Sequence, residues 1–254
     1  MRIIISPAKR MKEDTDSIGH SRLPMFIKDT ELLLSYLRGL SYKEAKALWN
    51  CNDKIAGLNY GRLEKMDLHR GLTPALLSYE GIQYQYMAPG VFRTEELQYI
   101  EKHLRILSGF YGILRPFDGV VPYRLEMQAK LQGNGFNSLY EFWSGRLAQQ
   151  LFSESQCIVN LASREYSRCI SNYPDGRVRF VTCIFGERAG DKIIEKGTQV
   201  KMARGEMVRF MAERQIEAPE EIKSFNRLNY YFSEELSEPD TYVFVKRVNQ
   251  DKHN

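Results

Sequence analysis

This chain predicts a mixed α/β (α+β) protein with a central sheet, on three observations. Short apolar runs such as Ile3-Ile4-Ile5 and Cys157-Ile158-Val159 have the length and composition of strands. Between residues 24 and 151 many apolar positions instead recur at helical spacing behind capping signals. Past residue 157 strand-like and helix-like segments alternate, the pattern of helices laid on a sheet.

The first strand ends at Ser6-Pro7-Ala8-Lys9, and the polar, aperiodic segment Lys9 to Arg22 reads as a long loop of the kind that often carries function. Pro24 suits a first helical position, with Phe26, Thr30, Leu33 and Leu37 following at helix spacing up to Gly39. Ser41 and Glu44 make a capping box for a second helix through Leu48. After the break at Asn50-Cys51-Asn52 a third helix opens near Asp53, so residues 41–66 read as a helix-hairpin-helix-like element. On the third helix Ile55, Leu58, Leu63 and Met66 are expected to form the apolar stripe. Arg62 falls inside that stripe, where a charge must snorkel, pair or line a cleft. Lys54 and Lys65 share a flank with Gly61, as a solvated face or as one that admits a close backbone.

Ala75 to Tyr86 reads as two short strands turning at Glu80-Gly81, with tyrosines at 84 and 86. Thr94 is expected to cap a helix bearing Leu97, Ile100, Leu104 and Leu107. Ser138 and Glu141 are expected to form a capping box ahead of Tyr140, Trp143, Leu147 and Leu151. Later strands are expected near 157–161, 178–186, 191–196 and 241–247. No repeat, low-complexity segment or linker divides the sequence, so one domain over 1–254 is the expectation.

With 254 residues the chain can bury roughly 70% of its unfolded surface. Its 43% hydrophobic and 27% charged residues are ordinary globular values. The net charge of +4 lacks the strong basicity of non-specific nucleic-acid binders, so any polyanion site must be local. Acidic residues gather late, at Glu213, Glu217, Glu220, Glu221, Glu234, Glu235, Glu238 and Asp240, which leaves the earlier chain more basic. Cys51, Cys157, Cys169 and Cys183 lack paired zinc spacing and fit a reduced protein. No signal-peptide core or apolar run of about 20 residues is present, so a cytoplasmic location away from membranes is expected.

Site-like chemistry sits where apolar runs end. Ile5 leads into Ser6 and Lys9. Val159 leads into Asn160, Ser163, Glu165 and Tyr166. Val200 leads into Lys201, Arg204 and Gly205, read as a strand-to-helix junction. If these strands share a sheet, their carboxyl ends converge on an anion-accepting cleft. Ser163 suits an N-cap with free amides behind it, or caps and nothing more. Lys201 and Arg204 combine a point charge with a planar fork, which suits phosphate. Ser108 to Asp118 and Tyr123 to Met127 interleave aromatics with Arg115 and Arg124. These aromatics either stack on bases or form core, with Arg115–Asp118 and Arg124–Glu126 as structural pairs. No Walker loop, Rossmann fingerprint, nucleophile elbow or paired-His metal motif is present, and His20, His69, His103 and His253 are scattered. Neither a metal nor a cofactor is called for.

Several segments together resemble one family. They are the opening Ile-Ser-Pro-Ala-Lys, Lys54 to Arg62, Leu107-Ser-Gly-Phe-Tyr-Gly-Ile-Leu-Arg-Pro, Pro122-Tyr-Arg-Leu-Glu-Met, Tyr140-Glu-Phe-Trp, Asn160-Leu-Ala-Ser, Lys201-Met-Ala-Arg-Gly and Val243-Phe-Val-Lys-Arg. In order and across nearly the whole chain, they look like the YaaA (DUF328/UPF0246) family of peroxide stress proteins. The resemblance implies a bacterial cytoplasmic protein of the oxidative-stress response with a positively charged cleft, a hairpin element that binds DNA, and a link to low free iron. It places Lys9, Arg62, Arg115, Arg124, Ser163, Lys201 and Arg204 at the cleft.

Two functions follow as expectations. One is a DNA-binding protective protein that grips duplex or branched DNA by its backbone, through Ser6, Lys9, Lys54, Arg62, Lys65, Arg115, Arg124, Ser163, Lys201 and Arg204. The other is an enzyme on a nucleotide or nucleic-acid substrate, with Glu165 as acid or base and Asn160 and Tyr166 near the reacting centre. Direct iron sequestration has little support, because no oxygen or nitrogen cluster shows ligand spacing for iron.

Overall fold

Parallel pairing in the middle of the sheet decides where this protein's ligand-binding edge falls. The computed structural model describes residues 1–190 and 192–247. Its strands are β1 (Arg2–Ile5), β2 (Arg10–Met11), β3 (Thr73–Pro74), β4 (Tyr79–Glu80), β5 (Leu104–Ser108), β6 (Gly112–Leu114), β7 (Gly119–Val120), β8 (Cys157–Leu161), β9 (Arg179–Ala189), β10 (Lys192–Ile194), β11 (Tyr230–Phe232) and β12 (Thr241–Lys246). Its helices are α1 (Ile27–Arg38), α2 (Tyr42–Trp49), α3 (Asp53–Lys65), α4 (Ala75–Ser78), α5 (Ile82–Met87), α6 (Thr94–His103), α7 (Leu139–Trp143), α8 (Arg146–Glu154), α9 (Arg164–Ser171) and α10 (Gly197–Arg214). Among the described residues an eight-stranded mixed sheet runs β11-β12-β9-β8-β1-β5-β6, with β10 paired to β9. From β12 to β5 every neighbour is parallel, while β11 and β6 join antiparallel at the two edges.

A parallel strand covered on both faces carries an unbroken apolar run instead of an alternation. Ile3, Ile4 and Ile5 are fully buried in that way. The same rule explains a misreading of residues 104–107, whose apolar spacing continues that of the preceding helix. Helix α6 stops at His103, and Leu104–Ser108 is the fully buried β5 lying parallel to β1. Period alone cannot separate a short buried strand from a buried helical turn.

Residues 197–204 correct the opposite error. They are the first half of α10, not a strand meeting a helix, so Lys201 and Arg204 project from a helix interior. The helix buries Val200, Ala203, Met207, Val208 and Met211 at helical spacing against the core. Gly205 lets it approach α5 closely, since a Cβ there would lie 2.1 Å from the Gln83 carbonyl oxygen. Residues 75–86 likewise form α4, the two-residue β4 and α5 in place of a hairpin. β4 pairs with β2, and Tyr84 turns inward while Tyr86 lies half-buried.

Capping signals mark most helix starts within a residue or two. Ser41 and Glu44 close their capping box, and Asn52 accepts from the Ile55 N–H at 3.0 Å to start α3. Pro24 sits one turn early, its carbonyl accepting from Ile27 N–H, and α1 begins at Ile27. The cap of α6 is Arg93, whose N–H donates to Glu96, with Thr94 the first helical residue. Ser138 caps α7 through the Glu141 N–H, but the Glu141 carboxylate takes the Asn137 N–H, so the box stays open.

The α3 stripe also differs from expectation. Ala56, Asn59 and Leu63 are its buried positions, while Ile55 and Leu58 are 37% and 57% exposed. Asn59 can be buried because its amide donates to the Ile55 carbonyl at 2.8 Å, satisfying a polar group within the helix. Lys54 and Lys65 are exposed, and Arg62 is half-buried.

Candidate functional site

The register that pairs Ile5 with Leu161 sets the next residues of β1 and β8 side by side at their carboxyl ends. There Ser163 N–H donates to Ser6 Oγ at 2.8 Å, and Ser6 Oγ donates to Ser163 Oγ at 3.2 Å. Ser163 is the N-cap of α9 by backbone geometry, yet its side chain makes no cap bond. It serves instead to lock the two strand ends together. Tyr84, from α5, donates its hydroxyl to the Ser6 carbonyl at 3.0 Å and fixes a third element to the same point.

Beyond these ends lies a cavity of about 380 Å³, the position expected of a ligand site in a parallel sheet. Eight residues singled out in the sequence line it: Ser6, Lys9, Arg124, Ser163, Glu165, Tyr166, Lys201 and Arg204. Five others do not. Asn160 is not in the lining of this cavity; its Oδ1 accepts from Ala162 N–H, its amide faces Thr182 at 3.4 Å, and it lines a smaller neighbouring cavity of about 240 Å³ that shares Arg204. Arg115 follows β6 at the sheet edge, after Leu114, which pairs with Ile106. Lys54, Arg62 and Lys65 stay on α3. The hairpin nevertheless borders the site, since Arg62 points a guanidinium nitrogen at the Met11 carbonyl and Arg124 points one at the Trp49 carbonyl, both at 3.5 Å.

Sequence reading also overlooked Arg10, Glu80, Ile82 and Gln83 as cavity residues. The signal was obscured because residues 75–86 were assigned to strands. Phe110 and Tyr111 settle an alternative left open: both are within 1% of full burial and pack on Tyr123 as core. Gly109 allows that packing, with the Leu125 carbonyl oxygen 2.6 Å from where a Cβ would be.

The charges around the cavity divide into paired and unpaired. Glu126 is held between Lys9 at 2.7 Å and Arg124 at 3.1 Å, so the expected Arg124–Glu126 pair forms. Asp118 accepts instead from the Arg115 backbone N–H at 2.8 Å. Lys201 and Arg204 have no ion pair or hydrogen bond among the described residues. Burial lowers the Arg204 pKa, with Glu195 and Cys183 opposing weakly. The Arg124 and Arg204 Nε atoms and the Gln83 Nε2 are buried donors without partners. Donors left in that state cost about 1–3 kcal/mol each, a cost that an acceptor-rich ligand would offset.

Glu165 has no ion pair with these cations among the described residues, although the charge of Lys9 acts on it. Its Oε1 accepts from Gln128 N–H at 3.2 Å, and burial raises its pKa, aided by the charge of Glu126. Tyr166 is buried and its phenol is pushed far up for the same reason. Burial raises Tyr123 to about 12, against its hydrogen bonds with Ser108 at 2.6 Å and Tyr79 at 2.9 Å, which lower it. These phenols are therefore neutral, hydrogen-bonding walls at ordinary pH.

Among the described residues no group of three or more His, Cys, Asp and Glu could hold a metal ion, and all four cysteines are free. No described helix is long and apolar enough to cross a membrane. His253 lies outside the described residues, as does position 191 of an expected strand.

Comparison with known proteins joins this site to a family. A family model described as peroxide stress protein YaaA matches residues 1–236. A UPF0246 protein of Lachnoclostridium phytofermentans is 56% identical, over 97% of this chain and 96% of the relative. UPF0246 proteins of Desulfitobacterium hafniense and Agathobacter rectalis are 53% and 52% identical, each over 98% of this chain and at least 99% of the relative. The chain therefore belongs to the YaaA (UPF0246) family of peroxide stress proteins.

Proposed function

We propose that this protein binds DNA by its backbone and in doing so limits iron-dependent damage during peroxide stress in the cytoplasm. The observation that supports this most is the pair Lys201 and Arg204, facing the cavity from one helix with no carboxylate in ion-pair contact among the described residues. Two cations left without partners in a half-enclosed site are poised for an external anion, and a phosphodiester supplies charge and acceptors together. Lys54 and Lys65 are exposed on α3, whose Arg62 faces the Met11 carbonyl beside the cleft, and add cations for a polyanion to meet. Backbone contacts of this kind position a protein without reading sequence.

The experiment is binding of duplex, single-stranded and four-way-junction DNA at low salt, by the unmodified chain and by two double variants. Lys201→Ala/Arg204→Ala is expected to weaken binding at least about tenfold, and Lys54→Ala/Lys65→Ala by less. DNA affinity untouched by either pair sinks the proposal.

A second reading, catalysis on a nucleotide or nucleic-acid substrate, is favoured by one feature that backbone gripping does not use. Glu165 is a partly buried carboxyl with a raised pKa on the cavity wall, suited to proton transfer. Turnover of a nucleotide panel that vanishes in Glu165→Gln supports it, and turnover that persists removes Glu165 from that role.

A further inference from the structure

A DNA duplex can lay a backbone phosphate against Lys201 and Arg204 at the cavity's boundary but is far too wide to fill a cavity of about 380 Å³, so the backbone reading leaves its interior without an occupant. Its walls indicate what would fit. Tyr84 and Tyr123 spend their hydroxyls inward, on the Ser6 carbonyl and on the Tyr79–Ser108 pair, which leaves their rings to line the space with Ile82 and Leu125. Against these apolar and aromatic surfaces stand two polar groups of opposite sense. Gln83 has an unpartnered amide donor, and Glu165 has one carboxylate oxygen bonded by Gln128. Lys201 and Arg204 complete the boundary as the unpaired cations. Stacking surface, a donor and an acceptor for a base edge, and a phosphate seat are the components of a pocket for a single nucleotide.

We infer that the cavity receives one nucleotide, its base among the tyrosine rings beside Glu165 and Gln83, its phosphate against Lys201 and Arg204. The inference rests on the nucleic-acid reading of the cleft and specifies what enters it. The favoured source is a nucleotide swung out of a DNA strand, because Arg124 connects the cavity wall to Trp49, the last residue of α2, so the hairpin lies at the cavity's border.

The test compares a duplex carrying a one-nucleotide bulge with a fully paired duplex of equal length at fixed salt. A deoxynucleoside monophosphate is used as competitor and, separately, as sole ligand in calorimetry. An unpaired nucleotide is cheaper to extrude, so the bulged duplex is expected to bind about tenfold tighter. The monophosphate is expected to erase that preference, and Glu165→Gln and Ile82→Phe to shrink it below about threefold. If Ile82→Phe fails to fold, the competitor arm on the unmodified chain decides alone. DNA binding with no preference for the bulge and no monophosphate binding overturns the inference while leaving the backbone reading intact. Monophosphate binding without DNA affinity upholds the single-nucleotide pocket, assigns it to free nucleotides and removes the backbone reading. Binding of neither removes both.

Discussion

Arg204 carries a charge into the fold with no carboxylate in ion-pair contact among the described residues, and stability and function should therefore move in opposite directions there. Its Nε is buried and unbonded, and its pKa is lowered by burial. Replacing an uncompensated, half-buried cation by an apolar side chain of similar length removes a desolvation cost. Arg204→Met is expected to raise unfolding stability by about 1 kcal/mol while weakening DNA binding, as read by urea unfolding and by titration with duplex. A variant that loses stability would show that Arg204 is a structural residue. Asp118 gives a second expectation, this one in pH. Burial raises its carboxyl from 3.8 to about 6, opposed by the Arg115 N–H and by the charges of Arg115 and Arg22. The folded chain thus keeps this proton to about pH 6, whereas the unfolded chain releases it near 3.8. Its contribution to stability is full below the lower value and is lost as pH rises through the higher, a loss of about 2–3 kcal/mol. Urea unfolding from pH 4 to 7 is expected to show the unmodified chain falling relative to Asp118→Asn across that interval. Parallel curves would mean that Asp118 does not titrate there.

The hairpin of α2 and α3 shows which elements could be read in advance and which could not. Its boundaries were legible because Ser41, Glu44 and Asn52 mark helix starts by local hydrogen bonds that depend on no distant residue. Strand β5 and helix α10 were misread because their character is imposed by what covers them: burial on all sides for Leu104–Ser108, and a close glycine contact with α5 for Gly197–Arg214. The outward face of α3 remains unusual. Gly57 and Gly61 have no neighbour within 4 Å of a would-be Cβ, and Lys54, Leu58 and Lys65 lie alongside them, all exposed. Two helical glycines that packing does not require cost about 1 kcal/mol each relative to alanine. Gly57→Ala/Gly61→Ala is accordingly expected to stabilise the protein, measured as a rise in Tm. If the bare helix backbone meets a DNA backbone, the same pair weakens duplex binding. Higher Tm with unchanged affinity would place the DNA surface elsewhere.

Across the molecule, the distribution of pairing matters more than the net charge. The acidic residues that gather after position 213 are largely engaged by cations around them. Glu213 meets Arg209 and Arg227, Glu217 meets Lys102, Glu220 and Asp240 meet Arg179, and Glu235 meets Arg188. Lys201 and Arg204 at the cavity, with Lys54 and Lys65 on α3, have no ion pair among the described residues and stand ready to meet a polyanion. Sequence could locate these cations and the ends of β1 and β8, because strand ends and charge types are local facts. It could not place Asn160 and Arg115 away from the cavity, or bring Gln83 and Tyr84 into it, because those depend on which elements pack together. The free cations make a quantitative expectation. Each phosphate neutralised releases counterions, so log Kobs against log salt falls with a slope of about −0.9 per contact on duplex DNA. Four contacts give a slope of about −3.6, and Lys201→Ala/Arg204→Ala and Lys54→Ala/Lys65→Ala should each make it shallower by about 1.8. The two pairs lie on separate helices and should act additively, so the quadruple variant is expected to lose about 3.6 from the slope. A slope that stays steep in the quadruple variant would mean that other cations carry the contacts, either ones without an ion pair among the described residues, such as Lys28 and Lys43, or Lys9 and Arg124 released from Glu126.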